Sequence, residues 1–229
     1  MEIDILPKTE RAQTHMVFIV VPRFNIMTLI TMIETLRIAN YLAPASIYSW
    51  EVASFDGSKI IASNGMTATI KTANDNLQSA EFVFILGSWG TEHYHNKKLT
   101  AWLRKRVRAG ERICGVELGS YIVARAGLLD GKLATIHWSW LNGFKENFNR
   151  VEVEESLFTL DRKVMTCSGG LAGVDLMLRL IEEINGSSFS GEIADQMLHH
   201  PIRSATSPQR GTMGRSTETV SYTHLRAHE

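Results

Sequence analysis

The stretch Arg112-Ile113-Cys114-Gly115-Val116-Glu117-Leu118-Gly119-Ser120 reads as a buried strand, Arg112 to Val116, that breaks sharply into a helix at Glu117-Leu118-Gly119-Ser120. A tight strand-to-helix corner lifts one side chain above the sheet, while the first turn of the helix presents unpaired N–H groups beside it. Hydrolases built on such a corner place a Ser or Cys nucleophile there. Here the lifted residue is Glu117. Its carboxylate gains electrostatically from the helix N-terminus, but it is a poor nucleophile without a special partner. Cys114 lies three residues earlier, inside the strand, and reads as a small buried hydrophobe.

Outward from the corner, strands and helices alternate. His15 to Val21 (HMVFIVV) is a continuous apolar run, which predicts a strand buried on both faces. Ile26, Leu29, Ile30, Ile33 and Leu36 then recur at three and four residues, an amphipathic helix reaching Tyr41. Trp50 to Phe55 is a second strand, followed by a hairpin around Asn64-Gly65 with Thr67 to Ile70. Glu81 to Leu86 (EFVFIL) is another buried strand and runs into Gly87-Ser88-Trp89-Gly90. The helix Asn96 to Ala109 is expected to bury Trp102, Leu103 and Val107. Lys97, Lys98, Arg104, Lys105, Arg106 and Arg108 then form a solvated face rather than a nucleic-acid stripe. Strands follow at Leu133 to Ile136, Glu152 to Leu160 and Val164 to Cys167. A helix over Gly169 to Ile184 carries the stripe Leu171, Val174, Leu178 and Ile181, and a last helix runs from Gly191 to His199. This alternation predicts an α/β fold with a mainly parallel sheet covered on both faces. Ligands of such folds bind at the carboxyl ends of the strands, near the switch point.

Composition narrows the class. With 229 residues, 44% hydrophobic, and a formal net charge of zero, the chain has no global drive toward nucleic acid. The longest apolar run, Met16 to Pro22, is too short to span a bilayer, and Met1-Glu2-Ile3-Asp4 lacks the basic start of a secretory signal. Two cysteines, Cys114 and Cys167, fit a reducing compartment better than a disulfide framework. A cytoplasmic domain is expected. Glu92-His93-Tyr94-His95 offers two histidines without further ligands at metal spacing, so no metal or cofactor is expected. His199-His200 is read as capping terminal helix carbonyls. The candidate crevice gathers Gly87, Ser88 and Trp89 with Glu117, Leu118 and Gly119 and with His137 and Trp138. Trp89, Trp138 and Trp140 are its possible aromatic walls.

The run Glu111 to Gly131 (ERICGVELGSYIVARAGLLDG), followed by Ala134-Thr135-Ile136-His137-Trp138, resembles the corner, helix end and following strand of one family. That family is the PfpI-like (class I glutamine-amidotransferase-like) domain that fronts AraC/XylS-type, GlxA-like transcriptional regulators. Thr166 to Leu178 (TCSGGLAGVDLML) resembles the same family's later helix. Ala194-Asp195-Gln196-Met197, Ile202-Arg203 and Pro208-Gln209-Arg210 resemble its closing segment, so the likeness runs in order over residues 14 to 215. The resemblance implies a flavodoxin-like three-layer sandwich. It also implies a ligand-sensing domain over residues 14–200, and a linker over 201–219 toward a DNA-binding module with two helix-turn-helix units. Enzymes of the wider superfamily carry Cys at the corner with a His partner. Glu117 stands in that slot here, and His137 is left with no nucleophile to activate, which counts against catalysis.

Three functions follow. The first is an effector-sensing, homodimer-forming domain that reaches DNA only through the further module. Some relatives respond to amino acids or betaine-like compounds, and an acid beside tryptophans suits a small amine through Coulomb and cation–π attraction. The second is a small-molecule hydrolase, lyase or hydratase, which needs Cys114 or Cys167 to reach His137. The third is a scaffold that only dimerises. The last residues, Val220 to Glu229, read as the translation of a transposon-end sequencing adapter, are set aside from fold reasoning, and lead to the expectation that the natural chain continues past Thr219.

Overall fold

The apolar run near the N-terminus becomes the third strand from one edge of a seven-stranded sheet. The computed structural model describes residues 13–73 and 77–211. The strands are β1 (Thr14–Val20), β2 (Tyr48–Ser54), β3 (Lys59–Ile61), β4 (Thr67–Thr69), β5 (Lys71–Thr72), β6 (Phe82–Gly87), β7 (Arg112–Glu117), β8 (Leu133–Ala134), β9 (Glu152–Val153), β10 (Phe158–Thr159) and β11 (Val164–Cys167). The helices are α1 (Ile26–Leu42), α2 (Lys97–Arg108), α3 (Gly119–Arg125), α4 (Leu141–Asn147), α5 (Ala172–Asn185) and α6 (Ser187–Gln196). The sheet runs β10-β11-β7-β6-β1-β2-β5, parallel throughout except for the β10–β11 edge pair. Strands β3 and β4 form the hairpin expected at Asn64-Gly65.

Side chains of β1 alternate between two cores. Met16, Phe18 and Val20 pack with Met32 and Leu36 of α1 and Leu176 of α5. Val17 and Ile19, with Val21 just past the strand, pack with Leu99 and Leu103 of α2 and Ile122 of α3. Both faces are therefore covered, and the run has no place for a polar residue. Burying each such Phe, Ile or Met contributes about 1.5–3 kcal/mol.

Several expected boundaries shift for local reasons. The strand read over Leu133 to Ile136 stops at Ala134. Beyond it the Thr135 amide turns to the Thr166 hydroxyl, 2.7 Å away, instead of a neighbouring strand. The run Glu152 to Leu160 divides into the short β9 and β10. Helix α5 starts three residues later than read, because Gly169 and Gly170 take φ of 88° and 56°. Leu171 then precedes the helix and is half-exposed instead of lying in the buried stripe. The last helix begins at Ser187, after Gly186 at φ 92°, and ends before His199. Arg106 leaves the solvated face assigned to it. Its guanidinium is buried over the Trp102 ring, pairs with Glu111 at 2.7 Å, and donates to the carbonyls of Leu77 and Gln78.

Between His199 and Gly211, where the described residues end, the chain has no regular secondary structure, yet it is tied to the domain as far as Arg210. Asp175 in the first turn of α5 is fully buried and accepts from the Arg203 backbone N–H at 2.8 Å, Arg203 Nε at 3.0 Å and Arg203 Nη2 at 2.6 Å. His199 Nε2 reaches the same carboxylate at 2.9 Å, not the helix carbonyls it was expected to cap, and His200 pairs with Asp195 at 2.7 Å. A buried carboxylate is the stronger acceptor. Arg210 pairs with Glu155 at 2.9 Å. Removing the buried partner of such a cluster leaves its donors uncompensated. Asp175→Ala is therefore expected to lower unfolding free energy by about 3 kcal/mol in urea titration, whereas Arg210→Ala, at a half-exposed pair, is expected to cost less than about 1 kcal/mol.

Candidate functional site

Gly119 begins α3 directly under β6: a Cβ on it would stand 1.8 Å from the Ile85 carbonyl oxygen, so no other residue fits. The Leu118 amide donates to the Gly87 carbonyl at 3.2 Å, which closes the corner. Glu117, the last residue of β7, turns the chain with φ 55°, a left-handed conformation that non-glycine residues rarely take, and Leu118 alone separates it from α3. The carboxylate is thereby raised at the carboxyl end of β7.

Glu117 is buried, and its Oε1 accepts from the Ser88 hydroxyl at 2.7 Å. Its Oε2 is buried too and has no well-aligned hydrogen-bond partner among the described residues. On its far side Gly169 packs so closely that an added Cβ would lie 2.7 Å from Glu117 Cβ. Burial pushes the carboxyl up from an ordinary 4.5 to about 7, against the opposing pull of Ser88 and Asn25.

A cavity of about 390 Å³ opens above this group. It lies at the carboxyl ends of β1, β6, β7 and β11, beside the β1–β6 junction where the strand order reverses. Of the residues expected to form the crevice, Ser88, Trp89, Glu117, His137 and Trp138 line it. Gly87, Leu118 and Gly119 do not. Leu118 points into the core shared with α2, while Gly87 and Gly119 are needed for close approach, Gly87 because a Cβ there would meet the Thr91 side chain at 2.6 Å. Trp140 turns away to pack edge-on against Tyr121. Trp89 is 64% exposed and flanks the mouth. Burial pushes the His137 imidazole below its ordinary value, and its Nδ1 is held by the Ser139 hydroxyl at 2.7 Å.

Both thiols are inside the sheet. Burial pushes Cys114 well above the ordinary thiol range and Cys167 up to about 12. Glu92, in the Glu92–His95 stretch that was not expected to hold a metal, accepts from the Gly90 amide at 2.8 Å and pairs with His93 at 3.7 Å. No cluster of three or more His, Cys, Asp or Glu suited to a metal occurs among the described residues.

The sequence reading missed Asn25, Ser168, Arg203 and Gln209 as cavity residues. Asn25 and Ser168 were findable, since each closely follows a strand whose carboxyl end faces the switch point. Arg203 and Gln209 arrive by tertiary packing alone. Gln209 accepts from the Trp138 amide at 2.7 Å, and its side-chain amide donates to the Ile136 and Ser156 carbonyls at 2.9 and 2.8 Å.

Residues 16–183 match the DJ-1/PfpI family model. The chain belongs to the DJ-1/PfpI family. The HTH-type transcriptional regulator CdhR of Pseudomonas aeruginosa is 35% identical over 193 residues, covering 84% of this chain and 57% of that protein. The HTH-type transcriptional regulator GbdR of the same species is 33% identical over 205 residues, covering 90% of this chain and 56% of that protein. The chain thus spans a little over half the length of these relatives. In fold, it resembles the crystal structure of an AraC family transcriptional regulator from Pseudomonas putida, with TM-score 0.74 at 21% identity over 80% of this chain and 98% of that one. The flavodoxin-like sandwich is that of its family. Val220 to Glu229, read as adapter-derived, lie outside the described residues.

A carboxyl raised in the folded state binds its proton more tightly there than in the unfolded chain. Its protonation favours folding most below 4.5, and that advantage fades as pH rises to about 7. Stability is therefore expected to fall between those limits by up to about 1.4 kcal/mol per pH unit from this group. Glu117→Gln is expected to flatten that slope in urea titrations run at about pH 5 and about pH 8. An unaltered slope would show that Glu117 is not the group responsible.

Proposed function

We propose that this chain is the effector-sensing and dimerisation domain of a bacterial AraC-type transcriptional regulator, cytoplasmic and without catalysis. Its crevice takes a small amine or amino-acid-like metabolite. One observation carries the reading: relatives named as HTH-type regulators align with 84% and 90% of the chain, while the chain accounts for only 57% and 56% of them. DNA is then read by the helix-turn-helix module that their names record, and the present domain supplies the control.

The crevice chemistry supports this ligand class. Glu117, half-ionised near neutrality and with no well-aligned donor at Oε2 among the described residues, gains from a cation. Trp89 offers an open ring at the mouth, whereas one face of Trp138 already holds the Arg210 guanidinium at 4.9 Å. Arg203 engages Asp175 through Nε and Nη2, leaving Nη1 without a partner among the described residues, which suits the carboxylate of a zwitterion. Dimerisation draws support from Met27, Ile30 and Tyr41, which follow one stripe of α1 and are exposed. An enzyme of this family would need a thiolate, and both thiols are buried and protonated at neutral pH.

A bound cation favours ionised Glu117, so binding below pH 7 releases a proton and weakens as the pH falls. Calorimetry with trimethylglycine and with tetramethylammonium is the test. Glu117→Ala is expected to weaken whichever of them binds by about tenfold or more. Equal affinity in the variant would remove Glu117 from the site, and no heat from either compound or from a panel of amino acids would sink the ligand class.

A further inference from the structure

Two walls of the cavity come from the places the fold predicts, the strand ends and the first turns after them. The third does not. Arg203 and Gln209 belong to the irregular segment His199–Gly211, and both line the cavity. We infer that this segment is a strap whose docking is coupled to occupancy of the crevice, so that a bound effector is reported to the chain beyond Gly211 through it. The inference rests on the crevice being the effector site.

The way the strap is held supports a two-state element. It contributes no strand to the sheet and no helix to either layer. Its position depends on a few anchors. Arg203 and His199 meet the buried Asp175, the Ala205 carbonyl accepts from the Leu157 amide at 2.8 Å, and Gln209 plugs a row of backbone groups. The Gln209 anchor is especially telling. Its Oε1 takes the amide of Trp138, a cavity residue, while its Nε2 is shared among the Ile136 and Ser156 carbonyls and the Thr135 hydroxyl at 3.2 Å. Releasing the strap therefore unpairs the backbone directly behind the cavity wall but leaves the sheet intact.

Every anchor that faces the cavity also faces the strap. A ligand carboxylate on Arg203, or a polar group on Gln209, adds contacts that exist only while the strap is docked. Such differential contact is what shifts a two-state equilibrium, and by linkage a docked strap raises the ligand's affinity in return. Arg203 and Gln209 line the same cavity as Glu117, so releasing the strap widens the opening of that cavity to solvent. Arg210, next along the chain, stacks on Trp138 and pairs with Glu155, so movement at Gln209 cannot leave the following residues where they were.

Amide exchange in the full chain tests this. The Arg203 amide is protected by Asp175, and the Trp138 amide by Gln209. With saturating trimethylglycine, exchange at both is expected to slow by about tenfold relative to amides of β1. Binding seen by calorimetry without slower exchange at these amides would overturn the strap and leave the effector site standing. Where calorimetry registers no binding, the ligand class is what has failed, and the strap is judged by Gln209→Ala without ligand. That variant is expected to speed Trp138 exchange and to bring the Glu117 titration, followed by carboxyl-carbon NMR, down from about 7 toward its ordinary value. A titration unchanged in a folded variant overturns the inference. Gln209→Met keeps the side-chain volume without its hydrogen bonds, and it takes the same measurement if Gln209→Ala does not fold.

Discussion

The carbonyl of Ile85 leaves no room for a side chain at position 119, and the arrangement of the crevice follows from that contact. Because Gly119 admits the backbone of β6, α3 starts one residue after β7, and Tyr121 and Ile122 pack with Leu118 into the core beneath. The sharp turn falls on Glu117, the last residue of β7, held at φ 55°. A left-handed non-glycine residue costs on the order of 1–3 kcal/mol, and it persists where the surroundings over-determine it. Here they do. The Leu118 amide is bonded to Gly87, and Gly169 packs against the Glu117 side chain from the other side.

Two buried carboxylates show how the same fold assigns different roles to similar groups. Asp175 is fully buried but receives donors from Arg203 and His199, so its lone pairs are committed to holding the chain after α6. Glu117 receives one hydroxyl at Oε1 and has no well-aligned donor at Oε2, and burial raises it to about 7. Desolvation outweighs hydrogen bonding at one site and is answered by paired charge at the other. The first carboxylate is structural, and the second is left available at the floor of an open cavity. An acid in that state is a better receptor for a cation than a nucleophile.

Much of this was legible in the residues. Continuous apolar runs marked β1 and β6 because both faces of those strands are covered. The change of pattern at Glu117-Leu118-Gly119 marked the corner, and Ser88, Trp89, His137 and Trp138 were placed around it. Shorter features were misread where local chemistry overrode pattern. The spacing of Leu171 begins an apolar stripe, but two left-handed glycines delay α5 and leave it half-exposed. Arg106 stands in a basic run that predicts a solvated face, but its guanidinium donates to the carbonyls of Leu77 and Gln78.

The sequence by itself determined the α/β alternation, the corner and the acid upon it, because these depend on residues adjacent in the chain: strand period, a glycine at the close approach, and the acid two positions before it. Only the tertiary structure decided that Gly87, Leu118 and Gly119 shape the crevice without lining it, and that Arg203 and Gln209 complete its wall. Those two residues lie about thirty and seventy positions from the groups they bind, Asp175 and the backbone around Ile136. No periodicity links such partners. They meet because a fully buried carboxylate and a row of backbone polar groups must find donors and acceptors once water is excluded.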